Sequence, residues 1–196
     1  MLQPTPPFRR GTPDDAQALA ELVDFASEGL ALYLWGKMAG PGGDPWAVGR
    51  ERAQRETGSF SYRNAVVLEQ GGRVAAGLIG YPLPDRPEPI PDSMPPMFVP
   101  LQELENLAPG TWYVNVLAAY PDKRGQGLGT ALLAIADELA AQMDRPTGLS
   151  IIVSDANTGA RRLYDRCGYA EVARRQKTKN GWQNPGKDWV LLVKHT

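Results

Sequence analysis

The sequence predicts a mixed α/β (α+β) fold in one domain, 1–196, and three observations predict it. Apolar stretches of strand character and stretches of helical periodicity follow one another in the order β-α-α-β-β-insert-β-α-β-α-β-β. A length of 196 residues suits a single sizeable core. Gln70-Gly71-Gly72 joins two apolar runs with a clear hairpin signal.

The elements follow in order. A short strand over Phe8–Gly11 leads to a helix start, with Thr12 as cap, Pro13 at the first helical position and Asp15 where a capping box wants an acid. Ala18, Leu19, Leu22, Val23, Phe25 and Ala26 recur at helical spacing. Gly36, Gly40 and Pro41-Gly42-Gly43 break the chain, and a second helix is expected from Asp44-Pro45 through Trp46 to about Thr57. Ala65–Glu69 and Arg73–Tyr81 form the hairpin strands. An insert, 82–100, is dense in proline and reads as neither central strand nor helix, yet Met94, Met97, Phe98 and Val99 are too apolar for a plain linker. A short helix over Leu101–Leu107 closes at Pro109-Gly110. Thr111–Ala119 reads as a buried strand, Leu128–Met143 as a helix, Leu149–Val153 as a strand and Thr158–Cys167 as a helix ended by Gly168. Glu171–Lys177 and Trp189–Lys194 are the final strands, joined by a turn around Asn184-Pro185-Gly186.

Composition excludes several classes. Lys plus Arg number 21 against 22 Asp plus Glu, so the clearly basic surface of a nucleic-acid binder is lacking; the basic bias over 161–179 reads as a solvated face, with an anion site as the other reading. The lone Cys167 permits neither an internal disulfide nor a cysteine zinc site, so no metal is expected. The lone His195 makes a serine or cysteine triad implausible. Met1–Phe8 lacks the apolar core of a signal peptide, and no apolar run nears the ~18 residues of a membrane span. The expected address is the cytoplasm, with no membrane partner.

The densest chemistry lies between the strand ending near Ala119 and the helix starting near Leu128: Arg124-Gly125-Gln126-Gly127-Leu128-Gly129. A glycine-rich turn from strand to helix offers backbone N–H groups to an anion at the positive end of the helix dipole. The dinucleotide pattern fails because Thr130 stands where its third glycine belongs, and the Walker pattern fails because Gly129-Thr130-Ala131 has no lysine.

Arg124-x-x-Gly127-x-Gly129 resembles the Gln/Arg-x-x-Gly-x-Gly/Ala signature of the GNAT (GCN5-related N-acetyltransferase) superfamily. A second segment, Asn157, Ala160, Leu163-Tyr164 and Cys167-Gly168-Tyr169, is similar to that family's helix-to-strand segment. The resemblance is tight over 111–196 and otherwise a matter of element order. It implies a mixed, mostly antiparallel sheet flanked by helices, and transfer of an acetyl group from acetyl-coenzyme A to a primary amine by direct attack in a ternary complex. The acceptor is a small molecule or a peptide or protein amine, and a homodimer is compatible with the family. A non-catalytic coenzyme A-binding sensor or interaction module on the same fold is the alternative.

By the same resemblance, backbone groups of Arg124, Gly125, Gln126, Gly127, Leu128, Gly129 and Thr130 hold the coenzyme pyrophosphate. Main-chain groups of Leu117 and Ala119 and the Asn157 side chain meet the pantetheine arm, although Asn157 also reads as a helix cap. Tyr164 matches the tyrosine that protonates the departing thiolate, and a phenol titrating at about 10 is protonated at neutral pH; its other reading is a core aromatic. Cys167 reads as a packing residue. No Asp or Glu lies on Thr111–Ala119 to act as base, so Tyr113 and Asn115, sharing a face, are expected to orient a water, the other reading of Asn115 being a partner for neighbouring backbone, with Glu28 and Glu69 as weaker candidates. Tyr33, Trp35, Asp44 and Trp46 border the acceptor side or pack inward. The insert is expected to wall the acceptor amine, the other readings being a flap that only covers core or a dimer contact.

Overall fold

The computed structural model describes residues 4–144 and 146–195. Its strands are β1 (Phe8–Arg10), β2 (Ala65–Gln70), β3 (Arg73–Pro82), β4 (Trp112–Ala119), β5 (Leu149–Ser154), β6 (Ala170–Gln176) and β7 (Asp188–Lys194). Its helices are α1 (Ala16–Ala26), α2 (Leu30–Ala39), α3 (Pro45–Ala53), α4 (Val99–Glu105), α5 (Leu128–Ala140) and α6 (Thr158–Arg166). The strand order is β1-β2-β3-β4-β5-β7-β6. β1–β2, β2–β3, β5–β7 and β6–β7 pair antiparallel, and β4–β5 pair parallel. This is the mixed, mostly antiparallel sheet with helices that the sequence implies. Of the stretch Met1–Phe8, residues 1–3 lie outside those described.

Two compact units divide the chain, Met1–Tyr81 with Asn115–Ile135, and Pro82–Val114 with Ala136–Thr196. In the first, the capping box forms as expected: the Thr12 N–H and hydroxyl both donate to the Asp15 carboxylate, at 2.8 and 3.0 Å. It opens a 3-10 turn, Pro13–Asp15, and the α-helix itself begins at Ala16. Arg9 grips the same carboxylate with both terminal nitrogens at 2.7 and 2.8 Å. Burial alone would raise the Asp15 pKa, but the hydrogen bonds from Arg9 and Thr12 outweigh it and hold the group below its ordinary value.

α2 corrects the sequence reading, which treated Gly36 as a break. Gly36 lies inside the helix, and Gly40 ends it. The real break is Glu28-Gly29, both at positive φ (55° and 84°). Two side chains start the new helix: Ser27 Oγ accepts from Ala31 N–H and Asp24 Oδ1 accepts from Leu32 N–H. A break made by side-chain capping leaves little trace in a hydrophobic pattern. The core of this unit gathers Ala16, Leu19, Ala53, Ala65, Val67, Ile79 and Val116. A neighbouring cluster centres on Trp35, stacked on Phe60 at 5.9 Å.

In the second unit α4 packs on β5, β6 and β7. The insert's ends are absorbed into regular structure, since β3 runs to Pro82 and α4 starts at Val99 with Pro100 in its first turn, where a missing N–H costs nothing. Met97 is buried. Thr111 and Ser150 share a hydroxyl hydrogen bond of 2.6 Å beneath the β4–β5 pair.

Candidate active site

In the first unit, β4 alternates buried Val116 with partly exposed Asn115, Leu117 and Ala119. Val116 enters the core and fixes the strand's rotation, which leaves the other three on the opposite face. The Asn115 side chain has no hydrogen-bond partner among the described residues. After β4, Tyr120 secures the chain. Its N–H donates to the Ala75 carbonyl at 3.0 Å, its hydroxyl donates to the Glu21 carboxylate, and its ring meets Phe25 edge-on at 5.8 Å. Burial and then Glu21 push the phenol pKa up, so it remains the donor.

Beyond a 3-10 turn at Pro121–Lys123, Gly125 and Gly127 take φ of 75° and 78°. A Cβ at either would meet no atom within 4 Å. Backbone conformation, not crowding, demands glycine, and the outer face of the turn is open. Ala131 N–H bonds back to the Gly127 carbonyl at 3.0 Å, so the N–H groups of Leu128, Gly129 and Thr130 have no intrahelical partner. They point with the dipole of α5 toward whatever sits before it.

Two side chains of the turn have local partners that the sequence did not reveal. Arg124 Nε donates to the Ala119 carbonyl at 3.3 Å, and its guanidinium lies 5.8 Å from the Phe25 ring. Gln126 donates to the Asp122 carbonyl at 3.3 Å and accepts from Gln70 at 3.4 Å. The Ala119 carbonyl, expected to face the pantetheine arm, is therefore covered by Arg124.

In the second unit, Asn157 caps α6, its Oδ1 accepting from Ala160 N–H at 3.1 Å. That contact assigns the amide orientation and leaves Nδ2 without a partner among the described residues. Tyr164 lies on α6, 4% exposed, with its ring 5.9 Å from that of Tyr169. Burial, with a smaller contribution from Cys167, raises its pKa well above the ordinary phenol value. A protonated phenol with no partner for its hydroxyl is chemically suited to donate. Cys167 is the partly buried C-cap of α6, its N–H on the carbonyls of Leu163 and Tyr164.

The sequence reading did not single out Glu105, on α4. It lines a shallow surface dip with Pro84, Arg86, Glu88, Gln102 and Asn106. Asn106 pins the insert there by accepting from Glu88 N–H at 2.9 Å and donating to the Glu88 carbonyl at 2.8 Å. Burial, and then the charge of Glu88, raise the Glu105 pKa to about 7. Two residues earlier, Glu103 is paired with Arg175 at 2.6 Å. The two acids look alike in sequence, and only the fold separates the paired one from the unpaired.

Other candidates take structural places. Glu69 is paired with Arg9 at 2.8 Å. Trp35 is core, Trp46 meets it edge-on at 6.1 Å, and Asp44 caps α3 through Trp46 N–H at 2.9 Å. Among the described residues no three His, Cys, Asp or Glu side chains gather as a metal site, and no helix is long and apolar enough to cross a membrane.

Solved acetyltransferases share this fold. An N-acetyltransferase from Staphylococcus aureus Mu50 superposes with a TM-score of 0.63 at 17% identity, covering 95% of this chain and 98% of that one. Ard1 from Thermoplasma volcanium gives 0.59 at 12% identity, with 96% of each chain covered. A GNAT family acetyltransferase from Elizabethkingia anophelis, solved with acetyl-CoA bound, gives 0.50 at 16% identity over 67% of this chain and 75% of that one. No curated protein matches the chain in sequence. The sequence model of the acetyltransferase (GNAT) family matches residues 31–169, which take in both the glycine turn and the Asn157–Tyr169 segment. Since that match spans well over half of its length, the chain belongs to the GNAT family of acetyltransferases.

Proposed function

We propose that the protein transfers an acetyl group from acetyl-coenzyme A to a primary amine of a small molecule, peptide or protein, by direct attack in a ternary complex. The observation that carries this reading is the open turn at Gly125 and Gly127, which leads into the unbonded N–H groups of α5. An N–H cradle entered through two glycines fits a pyrophosphate. Backbone groups from Arg124 to Thr130 hold that charge, and Arg124 exchanges the Ala119 carbonyl for a phosphate oxygen. Leu117 and Ala119 then offer main-chain groups, and Asn157 its free Nδ2, to the pantetheine arm.

Acetyl-coenzyme A supplies the acetyl group activated as a thioester. As the amine nitrogen bonds to the acetyl carbon and the carbon–sulfur bond breaks, Tyr164 gives its proton to the sulfur and regains one from solvent. The proton lost by the amine passes to a water held at Asn115. In this reading the neighbouring carboxyl groups of Glu105 and Glu88 under the insert favour the positive charge of an amine acceptor.

The test is calorimetry with acetyl-coenzyme A on ligand-free protein, followed by a thiol-release assay across aminoglycosides, polyamines, amino acids and peptide N-termini. Binding and release with at least one amine class are expected. No heat at millimolar ligand would refute the reading. Binding without release across the whole panel would point instead to a coenzyme A sensor.

A further inference from the structure

Lys177, just past β6, is 7% exposed, and nothing in the proposed chemistry uses it. Its ammonium donates to Ser154 Oγ at 2.5 Å and to Asn184 Oδ1 at 2.8 Å. It lies 4.3 Å from the ring of Trp189 and 5.5 Å from that of Trp182, two indoles stacked 6.0 Å apart. Gly186 passes so close that a Cβ there would fall 2.4 Å from Nζ. Gly186 N–H also donates to Asn184 Oδ1, and Lys177 N–H donates to the Lys187 carbonyl.

A buried ammonium costs several kcal/mol in lost hydration unless its surroundings replace the water. Hydroxyl, amide oxygen and two indole faces contribute to this here, with the Asp155 carboxylate as a nearby countercharge. A methionine would fill the same space without a charge to desolvate, so what the ammonium adds is direction. It ties the β6–β7 connection to the end of β5 in one arrangement. The end of β5 is also where Asn157 is placed: the Ser154 carbonyl accepts from Asn157 N–H at 3.0 Å. Between them, Asp155 N–H donates to the Asp188 carbonyl, and Lys187 N–H donates to Asp155 Oδ1 at 2.9 Å. Lys177, Ser154, Asp155 and Asn157 thus form one connected network within the second unit.

We propose that Lys177 is a positioning residue for the cofactor contact at Asn157, acting through Ser154 and the Ser154–Asn157 turn. This rests on the reading that Asn157 Nδ2 touches acetyl-coenzyme A. The experiment is a double-mutant cycle on the full chain, with the Kd for acetyl-coenzyme A measured by calorimetry on wild type, Lys177→Met, Asn157→Ala and the double variant. Each single change should weaken binding, by roughly tenfold at most, and the double should bind no more weakly than Asn157→Ala alone, because both remove one contact. Independent losses that multiply in the double overturn the inference. So does a Lys177→Met protein that melts earlier but binds as tightly as wild type, since that is mere packing. An unchanged Kd for Asn157→Ala overturns the reading of Asn157 and this inference with it, whereas a weakened Asn157→Ala beside an unaffected Lys177→Met overturns this inference alone. Should Lys177→Met not fold, Ser154→Ala, which keeps the ammonium and removes its hydroxyl partner, runs through the same cycle with the same criteria.

Discussion

α5 opens on Gly127-Leu128-Gly129 with N–H groups that neither the helix nor a side chain of the described residues satisfies, whereas α6 opens under its own cap, Asn157 on Ala160 N–H. The first start is made of main chain and kept open. The second is closed, and the proposed acid on its helix is a buried side chain, Tyr164. A site made of backbone depends on φ and on the absence of Cβ atoms. A site made of side chains depends on what surrounds each titrating group. The first should therefore respond to substitution mainly in affinity, the second mainly in turnover and pH dependence.

The comparison breaks most visibly at Tyr164. Tyr164→Phe should lower turnover by roughly 10²-fold with coenzyme affinity nearly constant. A loss of affinity or stability in place of turnover would assign Tyr164 to packing. Gly127→Val tests the opposite kind of site. A β-branched residue at φ 78° costs about 1–2 kcal/mol and puts a Cβ over the open face, so calorimetry should show acetyl-coenzyme A binding at least about tenfold weaker in a folded protein. Unchanged affinity would move the phosphates elsewhere.

Glu105 sharpens the side-chain half of the comparison. Its folded pKa of about 7 lies above the ordinary 4.5, so the native state favours the protonated carboxyl. The stability this contributes is complete below pH of about 4.5 and is lost as pH rises through about 7. Discounted for partial exposure, it amounts to about 1–2 kcal/mol. Melting scans should show wild type losing stability from pH ~4.5 to ~7, and Glu105→Gln should flatten that slope. The smallest effect is expected for the cap: Asn157→Ala should cost about 1 kcal/mol, or a melting shift of roughly 2–4 °C. A protein as stable as wild type would mean that the cap contributes nothing to the start of α6.

What was legible in the sequence follows the same division. The hairpin at Gly71-Gly72, the glycine turn and the starts of α5 and α6 were readable, because glycine spacing and caps are local signals. The α1–α2 break was not, because Asp24 and Ser27 make it from inside an apolar run, and Gly36 offered a false stop. In the site, the turn residues are where the pattern put them, but the Arg124 contact with Ala119 and the difference between Glu103 and Glu105 arise only from tertiary neighbours. The raised pKa of Tyr164 likewise comes from burial, which no spacing encodes.

The strand order of the second unit has a consequence for synthesis. β7 lies between β5 and β6, yet it follows both in the chain. A ribosome therefore delivers the central strand of the three after its neighbours. Until Asp188–Lys194 emerges, β5 carries an edge of Ile151, Ile152 and Val153 with nothing to pair against, and β6 has no partner at all. Unpaired apolar edges invite pairing with other chains. The three strands can therefore close into one sheet only after Asp188–Lys194 is available to enter between the other two, so this part of the sheet cannot be built up strand by strand as the chain is made.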